Sequence, residues 1–213
     1  MADLVFYTNP MSRGQTIRWM LEEVGQPYDT EILGYGTSMK EEPYLSVNPM
    51  GKVPAIVHKD KVVTEVAAIC CYLADAFPET SLAPPLGERA DYYRWIFFTS
   101  GPIEAAFSNK AAGWEPTPER QRMFGYGNYD LAITTLEKAL TGREYLAADY
   151  FTAADLFVGA NVNFMLAFNL LEPRPAFVDY ARRMTDRPAY ERAKEIDAKL
   201  AAEIQAKAQP QPA

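Results

Sequence analysis

The chain has 213 residues, of which 48% are hydrophobic and 23% charged, with a net charge of -7. This is ordinary globular usage, so collagen-like, low-complexity and wholly disordered readings are excluded. The acid excess gives no general attraction for phosphate backbones, so no nucleic-acid partner is expected.

No run of 18 apolar residues occurs, so no membrane partner is expected. Met1 to Tyr7 lacks a basic region followed by a long apolar stretch, the mark of a secretory leader. The two cysteines, Cys70 and Cys71, are neighbours and build no disulfide framework. A reducing, cytoplasmic location follows as the expectation. The single histidine, His58, excludes a multi-histidine metal site, so no metal is expected.

In chain order, Leu4 to Tyr7 is an apolar run that predicts a buried strand. After a break at Asn9-Pro10, Ile17, Met20, Leu21 and Val24 predict an amphipathic helix, with Gly25 as its C-cap. Ser12, followed at the third position by Gln15, predicts a capping box. Tyr28 to Leu33 predicts a second strand, and Lys40 to Leu45 a short helix. Pro54 to Val57 and Val62-Val63 predict a hairpin turning at Lys59-Asp60. From Val66 to Phe77 the helical period resumes.

The order is βαβ then ββα, a small α/β layer fold over 1–77. Residues 78–87, with Pro78, Pro84 and Pro85, read as a linker. Residues 88–206 read as an all-helical domain, with helices over Glu88–Lys110, Pro118–Leu140, Ala153–Leu170, Ala176–Met184 and Ala189–Ala206. Residues 207–213 read as a disordered tail. Phe151-Thr152-Ala153-Ala154-Asp155-Leu156 combines a capping box with a hydrophobic staple, a structural signal.

Several residues stand where chemistry is possible. Tyr7 ends the first strand, and ligands bind beyond the carboxyl ends of strands in open α/β sheets. The plain alternative is a core tyrosine. Ser12 opens the first helix, where the local field favours an anion, and Arg13 adds a positive charge beside it. Val53, before Pro54, is placed to pair its backbone with an extended peptide. Lys52 is placed to meet a carboxylate. Glu65 and Val66 open another helix, offering a carboxylate and free N–H groups. Cys70 and Cys71 read as helix-buried hydrophobes, and His58 has no partner legible in the sequence.

These segments resemble the cytosolic glutathione transferase family in its bacterial form. The resemblance is carried by Tyr7-x-Asn9 with Arg13, Ile17, Arg18 and Trp19, and by Asn48-Pro49-Met50-Gly51-Lys52-Val53-Pro54. Glu65 with Ala68-Ile69 and Tyr72-Leu73, the Phe151–Asp155 cap and Arg187-Pro188-Ala189 complete it. The resemblance implies a thioredoxin-like N-terminal domain, an all-helical C-terminal domain, a homodimer and a cis Val53-Pro54 bond.

It further implies glutathione as co-substrate, extended along Val53 with its γ-glutamyl end at Glu65 and Val66. A small hydrophobic electrophile would lie between the domains, against Met11, Phe107 and Trp114. The implied activity is a glutathione S-transferase conjugating alkyl or aryl groups, a detoxification. The alternative is a non-catalytic member used for ligand carriage or protein interaction. Val66 stands where the family carries serine. Counted back from Trp19, both Tyr7 and Ser12 match thiol-activating positions of different classes. Ser12 is placed first because it stands at a helix N-terminus, and Tyr7 is the alternative.

Overall fold

A computed structural model of the chain describes residues 2–208. Its contacts divide it into two units: residues up to Thr80 together with those from Arg187 onward, and Ser81–Asp186.

The first unit opens with β1 (Leu4–Thr8), α1 (Gly14–Val24) and β2 (Asp29–Ile32). There follow the short α2 (Tyr44–Val47), β3 (Ala55–His58), β4 (Lys61–Thr64) and α3 (Val66–Ala76). The sheet order is β2-β1-β3-β4, with β1 and β2 parallel and the other pairs antiparallel. This is the βαβ-ββα order read from the sequence and the thioredoxin-like arrangement that the family resemblance implies.

Alternation along β1 divides the core. Phe6 is fully buried and lies near Tyr28 and the Arg18 guanidinium of α1. Tyr7, on the opposite face, packs with Leu33, Met39, Tyr44 and Ala55. The helix α1 ends as predicted: Gly25 takes φ 70° and donates its N–H to Leu21 C=O at 2.9 Å. In place of one helix at Lys40–Leu45 the chain makes a single turn at Ser38–Lys40 and then α2.

The long α9 (Pro188–Ala208) packs on α1 within this first unit. That differs from its expected place in a continuous helical segment 88–206. The reason is a set of charge pairs between segments far apart in sequence. Arg18, 1% exposed, donates from Nε to Asp197 at 3.2 Å and from Nη1 to Thr30 at 2.9 Å and Tyr28 at 3.2 Å. Arg187 pairs with Glu23 at 2.6 Å, and Arg192 with Glu22 at 3.1 Å. Trp19 meets Tyr190 edge-on at 5.0 Å. Burial pushes Asp197 up against the opposing effect of Arg18, and Tyr28 rises to about 12, chiefly by burial. Of the tail expected over 207–213, residues 207 and 208 complete α9, and 209–213 lie outside the described residues.

The second unit holds α4 (Ala90–Phe98), α5 (Glu104–Ala111), α6 (Tyr129–Leu140), α7 (Ala153–Ala167) and α8 (Pro175–Thr185). The helix expected over Glu88–Lys110 is broken into α4 and α5 by a π-helical turn, Thr99–Ile103. Pro102 inside that turn has no N–H to give. The helix expected from Pro118 begins only at Tyr129. Gly127 takes φ 69°, and Asn128 caps α6 by accepting the Leu131 N–H at 2.8 Å.

At the start of α7 the predicted box is present. Asp155 accepts from the Thr152 N–H at 3.0 Å and hydroxyl at 2.8 Å, from Leu146 N–H at 2.7 Å and from Tyr180 hydroxyl at 2.8 Å. Burial pushes its carboxyl up even so.

The α1–α9 pairs yield a stability test. Asp197→Ala leaves the Arg18 guanidinium buried and uncompensated, and is expected to cost about 3–5 kcal/mol in urea unfolding. The double change Arg18→Met with Asp197→Leu should recover most of that loss. Equal destabilisation by the single and double variants would contradict the charge account.

Candidate functional site

The strand register gathers the site. Tyr7 stands opposite Ala55, and Ala55 opposite Thr64. The end of β1, the start of β3 and the end of β4 therefore form one row at one edge of the sheet. Beyond Tyr7 the chain enters the turn to α1 that carries Ser12 and Arg13. Before Ala55 come Lys52, Val53 and Pro54. After Thr64 come Glu65 and Val66. Segments separated by up to about sixty residues are thus presented together by three paired strands.

Two Asn-Pro turns hold the loops. Buried Asn9 accepts from Met11 N–H at 3.0 Å and donates to Leu33 C=O at 2.8 Å. Asn48 does likewise, accepting from Met50 N–H at 3.1 Å and donating to Lys52 C=O at 2.8 Å. The same Lys52 carbonyl takes the Tyr44 hydroxyl, whose ionisation burial pushes up. Two donors thereby fix the chain just before Val53, and the Val53-Pro54 bond is cis. Val53 itself makes no hydrogen bond to a described residue, so its N–H and C=O are available to an extended peptide.

Ser12 is half-buried. Its hydroxyl donates to Asn9 C=O at 2.7 Å and accepts the Gly14 N–H at 2.9 Å. The expected capping box is absent. Gln15 reaches Pro10 C=O at 2.7 Å, and the Ser12 N–H goes to Asn9 C=O at 3.0 Å. Tightening the turn around Asn9 draws that N–H away from Gln15. The helix starts after Arg13, which is half-buried.

Tyr7 is also half-buried. Its ring lies 5.4 Å from that of Tyr44, and its hydroxyl has no hydrogen-bond partner among the described residues. Tyr7 and Val53 pack against the same apolar cluster.

Glu65 is exposed and takes φ 68°, ψ 122°, a conformation costly for a residue with a side chain. Its carbonyl accepts the Ile69 N–H at 2.9 Å. As first residues of α3, Val66 and Ala67 have N–H groups with no intrahelical acceptor.

Sequence reasoning missed three supports. The Tyr44–Asn48 brace on Lys52 was legible only as an Asn-Pro pair. Lys40 donates to Met50 C=O at 3.1 Å, and nothing in the pattern marked it. Gly14 is the third: a Cβ there would stand 2.0 Å from Thr8 Oγ1 and 2.9 Å from Ser12 Oγ.

The remaining residues sit as follows. Met11 is 51% exposed, and its C=O accepts from the Tyr35 hydroxyl at 3.4 Å. In the second unit Phe107 is buried edge-on to Phe164, and half-exposed Trp114 meets Phe124 edge-on at 5.1 Å. Cys70 is buried and Cys71 half-buried. His58 does have a partner, the Tyr72 hydroxyl at 3.0 Å, and burial lowers its affinity for a proton. Among the described residues no cluster of His, Cys, Asp or Glu is arranged to hold a metal, and no helix is long and apolar enough to cross a membrane.

Comparison with known proteins agrees with this geometry. A family model described as glutathione S-transferase, N-terminal domain, matches residues 11–76. Glutathione S-transferase GST-4.5 of Xanthomonas campestris pv. campestris is 28% identical over 159 residues, covering 71% of this chain and 78% of that one. Glutathione S-transferase GstA of Escherichia coli O157:H7 is 27% identical over 150 residues, covering 68% and 73%.

Among solved structures, a glutathione transferase from Methylococcus capsulatus superposes with a TM-score of 0.75 at 27% identity, covering 92% of this chain and 99% of that one. Glutathione transferase Ure2p6 from Phanerochaete chrysosporium, in complex with oxidized glutathione, gives 0.74 at 25% identity, covering 93% and 98%. Residues 11–76 thus match the glutathione S-transferase N-terminal domain, and the likeness to glutathione transferases extends over most of the chain.

Gly14 makes the site testable apart from any ligand. Replacing a helical glycine with alanine ordinarily stabilises by about 0.5–1 kcal/mol. Gly14→Ala is expected to destabilise by about 1–3 kcal/mol instead, because Thr8 and Ser12 must move. A rise in the urea midpoint would contradict the close approach.

Proposed function

We propose that this protein is a glutathione S-transferase that joins the glutathione thiolate to a small hydrophobic electrophile. The observation that carries the reading is the Tyr7–Ala55–Thr64 row. It brings a hydroxyl-bearing helix start, the unpaired backbone of Val53 before β3 and a second open helix start to one edge. A γ-glutamyl-cysteinyl-glycine chain has a matching group for each. Its cysteine backbone pairs with Val53, its γ-glutamyl ammonium meets Glu65, and its γ-glutamyl carboxylate meets the N–H groups of Val66 and Ala67. Lys52 faces the glycine carboxylate.

A free thiol has a pKa of about 8.5 and is mostly protonated at neutral pH. Ser12 is our candidate to favour the thiolate. Its oxygen already accepts the Gly14 N–H, which polarises the hydroxyl as a donor. A bond to an anion is roughly twice as strong as one to a neutral carbonyl, so the proton turns from Asn9 C=O to the sulfur. The N-terminal end of α1 and the Arg13 charge act in the same sense. The electrophile then takes the sulfur lone pair as its leaving group departs.

Met11, Phe107 and Trp114 are our candidates for contact with its apolar body. We further place the protein in the cytoplasm as a homodimer, the expectation the family carries.

A second reading of the thiol donor is favoured by one observation: the Tyr7 hydroxyl has no partner among the described residues and stands beside Val53 in the same cluster. Kinetics separates the two. With Ser12 as donor, Ser12→Ala raises the pKa of bound glutathione and lowers turnover of an aryl halide at neutral pH by about 10²-fold or more, while Tyr7→Phe is mild. The reverse ranking transfers the role to Tyr7. No conjugation by the wild type, with glutathione still bound, would favour the non-catalytic alternative.

Val66 generates a further test. The family's serine offers a hydroxyl to the γ-glutamyl carboxylate, and Val66 lacks it. A hydrogen bond to a charged group contributes about 1.5–3 kcal/mol, so Val66→Ser is expected to tighten glutathione binding by about tenfold or more. Calorimetric titration giving equal or weaker binding would show that this position does not limit affinity.

A further inference from the structure

The Ser81–Asp186 unit carries a cavity of about 680 Å³ where the end of α6 meets the start of α8. That volume is in the range of small-molecule sites, about 300–1,000 Å³. Leu140, Pro175 and Ala176 give it apolar wall, and five charged side chains line the rest. Three of these already face opposite charges. Glu137 pairs with Arg174 at 2.7 Å, Asp179 faces Arg182 at 3.7 Å, and Arg143 faces Asp91 at 3.7 Å.

Two do not. Glu144 is exposed and has no partner among the described residues. Arg183 faces no carboxylate among the described residues. Its Nη2 donates to Arg143 C=O at 3.0 Å, its guanidinium lies 5.7 Å from the Tyr180 ring centre, and its Nε–H is buried without an acceptor. A buried donor left unmet is costly, and a ligand carboxylate is a fitting acceptor.

We propose that this cavity binds a zwitterionic amino-carboxylate of short-peptide size, with its carboxylate at Arg183 and its ammonium at Glu144. One uncompensated cation and one uncompensated anion on a wall with apolar stretches match a ligand carrying one of each. A simple anion meets Arg183 but sets its charge near Glu144, and a simple cation does the reverse. The glutathione-binding candidates all belong to the other unit, so the inference stands apart from the transferase reading.

Triglycine is a suitable probe, compared with N-acetyltriglycine, which lacks the cation, and triglycinamide, which lacks the anion. Backbone amide signals of Thr141, Gly142 and Ala176, followed by NMR on the full chain, report on this cavity and not on the sheet edge. Triglycine is expected to shift them saturably, and each blocked peptide to bind about tenfold or more weakly. Glu144→Gln should abolish the preference over the acetylated probe, and Arg183→Met the preference over the amide. Absence of saturable shifts, or equal affinity for the three probes, would overturn the proposal. Should Arg183→Met fail to fold, the three-probe comparison on the wild type decides alone.

Discussion

Everything at the candidate site depends on the pairing of β3 with both β1 and β4. That pairing sets Tyr7, Ala55 and Thr64 in one row. Side chains alternate along each strand, so a slip of one residue would turn Tyr7 into the face now held by Phe6. The buried pattern prevents the slip: Leu4 and Phe6 are closed off on one side, and Tyr44, Met39 and Ala55 on the other. Once the row is set, three loops leave it in fixed directions, and each loop carries one part of the proposed chemistry.

The loops are braced in a shared way. Asn9 and Asn48 each fold their amide back on the N–H two residues ahead and send their Nδ2 to a carbonyl elsewhere. The first turn delivers Ser12 and the second delivers Val53. Glu65 is different, because its left-handed backbone is imposed by its setting between β4 and α3. Such a conformation persists only where the surroundings over-determine it, and these positions cluster at ligand clamps. The helix α1 that follows this turn is itself held from two sides, by the sheet beneath Phe6 and by α9 through Arg18, Glu22 and Glu23.

Much of this was legible in the sequence because the signals are local. The apolar run of β1, the hairpin turn, the Gly25 stop and the Phe151–Asp155 box are each written within a few residues, and the structure has each of them. The misplaced helices fail for local reasons too. Gly125, Gly127 and Asn128 outweigh the apolar residues upstream of Tyr129, and Pro102 breaks what periodicity alone would join. What local pattern does not carry is pairing at a distance. Asp197 reads as one more charge on a polar helix until Arg18, 179 residues away, is seen beside it. The same holds for His58 with Tyr72, the brace on Lys52 and the positive φ of Glu65. The candidate residues were found by type and order, while their supports emerged only with the fold.

The claim that this sheet edge is a glutathione site is tested most directly by a crystal structure of the protein with glutathione. The account predicts an extended tripeptide bonded to both backbone groups of Val53, its γ-glutamyl end at Glu65 and the first turn of α3, and its sulfur within hydrogen-bond distance of the Ser12 or Tyr7 hydroxyl. Glutathione bound elsewhere, or bound here with its sulfur facing neither hydroxyl, would contradict it.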